Sequence, residues 1–284
     1  QAVALKPNLV EAHTNLGNVL QEQGKLEEAV AQYRQALALN PNYAGVHSNI
    51  VFVMSYNPMT TVETIATAHR EWNDLHAHPL ASQMRPHKND RNPERRLRVG
   101  YVSADFRRHS VSYFSEPLFA NHDRANVMVF AYSNGACSDA TTKQMRQLAD
   151  EWRDIVGKSD DAVAELIRED RIDILVDLSG HTAGNRLLVF ARKPAPVQVT
   201  YLGYGTTTGL STIDYRLTDR FLSPSDSPEW CSEELVRLPG CFVCYQPPAN
   251  SWPVTPRPAS AVGHVTFGSF NNLAKVTPAV VGLW

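Results

Sequence analysis

Four short stretches gather residues able to move a proton or hold an anion. They are SADFRRHSVS (103–112), SGHTAGNR (179–186), LGYGTTTG (202–209) and NNLAK (271–275). In the first, His109 stands between paired arginines and a short apolar helix, with Asp105 four residues earlier. An imidazole titrates near ~6.5 when free, which suits a base working near neutral pH. A helix N-terminus favours its neutral form, and Asp105 can orient it or carry a proton onward. Glycines in the other stretches let backbone approach a ligand. No acidic cluster suited to a metal appears among them, so no metal is expected. Each stretch also has a plainer reading. His109 can be a satisfied turn residue, Lys275 a surface lysine at a helix start, SGHTAGNR a helix cap with His181 on the loop surface, and the glycines of LGYGTTTG ordinary turn residues.

The elements that must carry these stretches begin at Leu97. LRVGYVS, VMVFAYSN, IDILVDLSG and VQVTYLGY read as strands. VSYFSEPLFANH, TTKQMRQLADEW, DDAVAELIRED and NRLLVFARK read as helices. Apolar Val/Ile/Leu runs alternating with amphipathic helices predict a Rossmann-like parallel sheet covered on both faces. In such sheets ligands lie beyond the carboxyl ends of the strands, where the four stretches fall. No G-x-G-x-x-G follows the first strand, which argues against a nicotinamide dehydrogenase. From Asp219 to about Gly263 the text is irregular; HVTFGSFNN then reads as a new buried strand and TPAVVGLW as the start of a helix.

Before Leu97 the chain repeats. Pro7 and Pro41 lie 34 residues apart, as do Ala2 and Ala36. Leu16, Gly17, Leu20, Ala29, Tyr33, Ala36 and Pro41 occupy the large, small and breaking positions of a tetratricopeptide helix pair. One full repeat is flanked by a partial one and a degraded one, in which Val51 stands where glycine is expected. Stacked repeats form a groove for an extended peptide. Asn15 and Asn49, again 34 apart, would place two amides on one face of it; the alternative is two ordinary polar helix positions.

The 284 residues divide into 1–57 (repeats), 58–96 (a helical linker region), 97–262 (the α/β lobe) and 263–284 (the start of a second lobe). HKNDRNPERRLR, within the linker, reads as a solvated connector. A net charge of −2 argues against a general grip on nucleic acid. No apolar run is long enough to cross a membrane and no secretory leader is visible, so a cytoplasmic protein is expected. Cys241 and Cys244 form a lone C-x-x-C without a second ligand pair, and buried thiols in a reducing compartment are the favoured reading for the four cysteines.

LRVGYVSADFRRHSV, DLSGHTAGNR, KPAPVQVTYLGYGTTTG, DYRLTD and GSFNNLAKVTP, together and in order behind the repeats, resemble the catalytic region of O-linked N-acetylglucosamine transferases. The short, divergent array suggests a bacterial member. The resemblance implies an α-helical solenoid followed by the N-terminal lobe of a two-lobed GT-B glycosyltransferase, the second lobe only begun. It implies inverting transfer of N-acetylglucosamine from UDP-N-acetylglucosamine to protein Ser/Thr hydroxyls, with no cofactor. Residue by residue, it implies that His109 and Asp105 are catalytic and help to deprotonate the acceptor hydroxyl. Lys275 would meet the donor diphosphate, with Asn272 where a glutamine often stands. Leu202 and Gly203 would line the donor pocket, Thr182 and Arg186 the acceptor loop, and His47 would lie close to a repeat histidine facing the site. Apart from the resemblance, the 34-residue spacing of Asn15 and Asn49 offers both amides to the acceptor chain. Ser110 and Val111 in place of Pro-Thr, Gly205 in place of proline, and His181 in place of tyrosine depart from the pattern. The piece alone is expected to be inactive. The alternatives are a peptide-binding scaffold with a silent α/β lobe and a two-lobed nucleotide-sugar epimerase, which has no need of a fused repeat array.

Overall fold

A computed structural model describes residues 5–226, 230–247, 251–272, 275–276 and 278–284. Three helices open it: α1 (Val10–Glu22), α2 (Leu26–Leu39) and α3 (Ala44–Met54). The predicted small position at Gly17 is needed, since a Cβ there would sit 2.5 Å from the Tyr33 ring. That ring is fully buried, and its hydroxyl donates to Asn18 Oδ1 at 2.8 Å. Val51, the misfit of the degraded repeat, is fully buried in the core of the α/β lobe. Where a repeat would accept its neighbour's helix, α3 meets the lobe instead.

Helix α4 (Val62–Trp72), capped by the Thr61 hydroxyl on Thr64 N–H, runs into a π-turn (Asn73–Ala77) and a 3-10 turn (His78–Gln83). Trp72 is buried and its indole donates to Ala44 O at 3.1 Å, tying α4 to α3. The basic segment that follows is solvated over most of its length, as expected of a connector, but it is pinned to the lobe at a few points. Arg95 forks onto Asp173, with Nη1 2.7 Å from Oδ2. Asn89 donates to the same carboxylate at 2.6 Å, and Arg98 N–H at 2.8 Å.

The lobe is a seven-stranded, wholly parallel sheet in the order β3-β2-β1-β4-β5-β6-β7. The strands are β1 (Leu97–Ser103), β2 (Val127–Ser133), β3 (Glu151–Asp154), β4 (Ile174–Asp177), β5 (Val197–Thr200), β6 (Tyr215–Asp219) and β7 (Glu234–Leu238). Its helices are α5 (Ser110–Ala120), α6 (Ala140–Leu148), α7 (Asp160–Glu169), the single turn α8 (Leu187–Phe190) and the short α9 (Pro258–Val262). One apolar core covers each face: Phe130, Leu175 and Trp72 lie in one, Tyr101, Phe106 and Phe119 in the other. Strand order reverses between β1 and β4, the position where such sheets open a crevice.

Several expectations need correction. TTKQMRQLADEW divides into α6 and β3, because Ala149 is extended and breaks the helix. NRLLVFARK holds one helical turn only. The region after Asp219 is not wholly irregular: ELVRL pairs with β6. HVTFGSFNN forms no strand in the described residues; Val265, Phe267 and Phe270 stand exposed, with no neighbouring strand to satisfy their backbone. TPAVVGLW does supply a short helix, Pro278–Leu283. The cysteines are free and none is buried: Cys137 and Cys241 are exposed, Cys231 and Cys244 half-buried.

Candidate active site

At the reversal point the turns after β1, β2 and β4 press together. A Cβ on Gly135 would lie 2.9 Å from Ala104 O, and one on Gly184 2.7 Å from Ala104 Cβ. Asn134 ties them: Nδ2 donates to Gly184 O at 2.8 Å, Oδ1 accepts from Arg186 at 3.0 Å, and its N–H donates to Ser103 O at 2.8 Å. The turn after β5 joins at Gly203, where a Cβ would come 1.8 Å from Leu178 O.

Between these turns and the end of α3 lies a cavity of about 750 Å³, lined among others by Asp105, His109, Thr182, Gly203, Asn272 and Lys275. Six residues expected to serve the site from four separate stretches thus converge. Asp105 is buried; its Oδ1 accepts from Arg107 at 3.0 Å and its N–H donates to Ser103 Oγ at 2.9 Å. His109 is itself the N-cap of α5, and its Nδ1 accepts the Val111 N–H at 3.3 Å. The Lys275 ammonium lies 4.9 Å from the centre of the Tyr56 ring, a cation–π contact across the cavity. Leu202, at φ +73°, packs into the lobe core and is not among the lining residues.

The remaining expected residues lie apart. Thr182 lines both this cavity and a second one of about 400 Å³, shared with Asn49 and Arg186. The Arg186 guanidinium is spent within the fold, on Asp160 at 2.8 Å, Ile155 O at 2.9 Å and Lys158 O at 3.0 Å, besides Asn134. Asn49 reaches Asn18 at 3.4 Å rather than Asn15, which is exposed and lines neither cavity.

His47 belongs to a different assembly. Its Nδ1 is 3.0 Å from His76 Nε2, and it lines neither cavity. Beside that pair, His181 is fully buried, not on the loop surface, with its ring 5.0 Å from Trp72 and 5.1 Å from His69. Its Nε2 donates to Thr208 O at 2.8 Å, so Nδ1 accepts from the Ser48 hydroxyl at 3.1 Å. His69 Nδ1 donates to Ile65 O at 2.7 Å, so Nε2 accepts from Tyr204 OH at 3.1 Å. Burial holds His69 and His76 down at about 4 and His181 well below its ordinary value, so all three are neutral. This knot joins α3 and α4 to the two turns bearing Thr182 and Gly203. Asp177, at the end of β4, braces the same turn: it accepts Ser179 and Gly180 N–H and the Thr200 hydroxyl, and burial raises it to about 6. In sequence, the knot's histidines are scattered over α3 (His47), α4 (His69), the π-turn (His76) and the turn after β4 (His181), a pattern without a motif. Phe52 and Tyr56, which wall the cavity from the repeat side, read as ordinary repeat residues.

Residues 53–246 match the model of glycosyl transferase family 41, and residues 17–54 match a TPR repeat model. The chain belongs to glycosyl transferase family 41. It is 45% identical over 252 residues to a tomato (Solanum lycopersicum) protein named probable UDP-N-acetylglucosamine–peptide N-acetylglucosaminyltransferase SPINDLY, covering 87% of this chain and 27% of that protein. It is 39% identical over 199 residues to Arabidopsis thaliana SEC, which carries the same enzyme name, covering 67% of this chain and 20% of that one. A solved structure of a Thermobaculum terrenum O-GlcNAc transferase variant superposes with a TM-score of 0.91 at 40% identity, over 100% of this chain and 54% of that one. The chain thus spans about a quarter of these curated relatives and about half of that solved structure. Among the described residues, no helix is long and apolar enough to cross a membrane, and no group of three metal-ligating side chains is present.

Proposed function

We propose that the protein transfers N-acetylglucosamine from UDP-N-acetylglucosamine to Ser or Thr hydroxyls of proteins, with inversion at the anomeric carbon. The observation carrying this reading is the one cavity that joins Asp105 and His109 to Gly203, Asn272 and Lys275 at the strand-order reversal of a family 41 lobe. Lys275 serves as the compact cation for the departing diphosphate, leaving the Tyr56 ring to meet it. Gly203, with Leu202 packed in the core behind it, shapes the donor side, and Asn272 adds an amide there. Asp105 and His109 stand on the acceptor side. Thr182 lies where the cavity opens toward Asn49 and the repeats, which supports entry of an extended acceptor from that direction. Arg186 holds the acceptor loop through its internal bonds. The transferase needs the family's second lobe for the nucleotide, so this chain alone is expected not to turn over.

The test is UDP release from UDP-N-acetylglucosamine by the full-length protein, with and without acceptor peptide, beside a panel of other nucleotide-sugars. Lys275→Ala is expected to lower kcat by about 10²–10³-fold, as for loss of a preorganised donor to a developing anion. Turnover of a different nucleotide-sugar would overturn the donor assignment. Peptide binding without any turnover would favour a scaffold role.

A further inference from the structure

We infer that His109 is a hydrogen-bond donor of fixed tautomer, its proton on Nε2, and not the base that removes the acceptor's proton. The catalytic half of this inference rests on the transferase reading; the tautomer does not.

The N-terminus of α5 decides it. Val111 is the second residue of that helix, and first-turn amides have no acceptor within their helix. Its N–H donates to His109 Nδ1 at 3.3 Å. His109 has the extended backbone of an N-cap (φ −155°, ψ 157°), and its carbonyl accepts the Ser112 N–H at 3.0 Å. A nitrogen that accepts an N–H carries no proton of its own, so the neutral ring keeps its single proton on Nε2. The competing arrangement would turn Nδ1–H toward Asp105. Its Oδ2 is 3.7 Å from Nδ1, beyond hydrogen-bond reach, while Oδ1 is occupied by Arg107.

A base must offer a lone pair to the acceptor hydroxyl. For His109 that lone pair would have to be on Nε2, with the proton moved to Nδ1. Two donors would then face each other across 3.3 Å, and the Val111 amide would lose its acceptor. The ring lines the cavity, so the Nε2–H offered there takes an oxygen lone pair of a bound substrate. The proton of the acceptor hydroxyl therefore does not pass to this ring.

Asparagine separates the two roles. Its side-chain oxygen is a preferred N-cap, and its amide supplies an N–H, but it cannot act as a base. Under the donor role, full-length His109→Asn keeps at least about tenfold more transfer activity than His109→Ala, which loses both cap and donor. Under a base role the two variants fall together, by about 10²–10⁴-fold. Nitrogen NMR of this chain, labelled at its histidines, reads the tautomer without any turnover. The resonance lost in His109→Asn should show a pyridine-like Nδ1 and a pyrrole-like, protonated Nε2. A protonated Nδ1, or equal loss in the Asn and Ala variants of an active protein, overturns the inference. If the wild type uses no nucleotide-sugar, the transferase reading falls, and the spectrum still decides the tautomer.

Discussion

Acid should loosen the junction between the repeats and the lobe, and His69 sets how much. In the folded chain its ring is fully buried, with Nδ1–H donating to Ile65 O and Nε2 accepting from Tyr204 OH, and burial holds it at about 4. Unfolded, it titrates at its ordinary value of 6.5. Between these values the unfolded chain binds the proton and the folded chain does not, so stability rises with pH through this window and is lost as pH falls from 6.5 toward 4. Integrating that difference from pH 7 to pH 5 gives a loss of about 2 kcal/mol from His69 alone. His76 and His181 act in the same direction. Asp177 opposes them: its folded value is raised to about 6, so it favours the fold as pH falls below that, by about 1 kcal/mol over the same range.

The decisive comparison is therefore a difference of differences. Urea titrations of the wild-type chain and of His69→Gln at pH 7 and pH 5 cancel Asp177, which both proteins contain. Glutamine keeps a donor and an acceptor but does not titrate. The wild type should lose about 2 kcal/mol more than the variant on acidification. Equal pH dependence in the two proteins, or a wild type that gains stability relative to the variant at pH 5, would refute the linkage.

Three further outcomes follow from packing. Gly17→Ala drives a methyl group against the Tyr33 ring and should cost about 1–3 kcal/mol in a urea titration. Gly203→Ala cannot be accommodated without moving Leu178 and the β5 turn, so the folded variant should lose UDP-sugar turnover in the full-length protein, and wild-type rates from it would contradict the close approach. Asp173→Ala strips Arg95, Asn89 and the Arg98 amide of their common acceptor and should cost about 3 kcal/mol in the same titration.

What the chain discloses in one dimension depends on how far apart its partners lie. The helix pair of the repeat is legible because Gly17 and Tyr33 answer each other within one 34-residue period, and β1, β2, β4 and β5 because their apolar runs are continuous, whereas the polar EWRD of β3 reads as the tail of a helix. β7 is hidden because an edge strand is half solvated: Glu234 and Arg237 interrupt ELVRL, and only pairing with β6 makes it a strand. The site turns were visible from their residue types. Their mutual fit was not, since Ala104 meets Gly135 and Gly184 while Leu178 meets Gly203, contacts that join the turns after four different strands. The histidine knot lay furthest from view for the same reason. Ser48, His69, His181, Tyr204 and Thr208 are each unremarkable in their own helix or turn, and the two rings are completed only by distant partners, His69 by Tyr204 and His181 by Ser48 and Thr208. His109 is the opposite case. Its cap partner is two residues away, so its tautomer is a local consequence of where α5 begins, and a histidine that looks like a base by type is made a donor by its place in the helix.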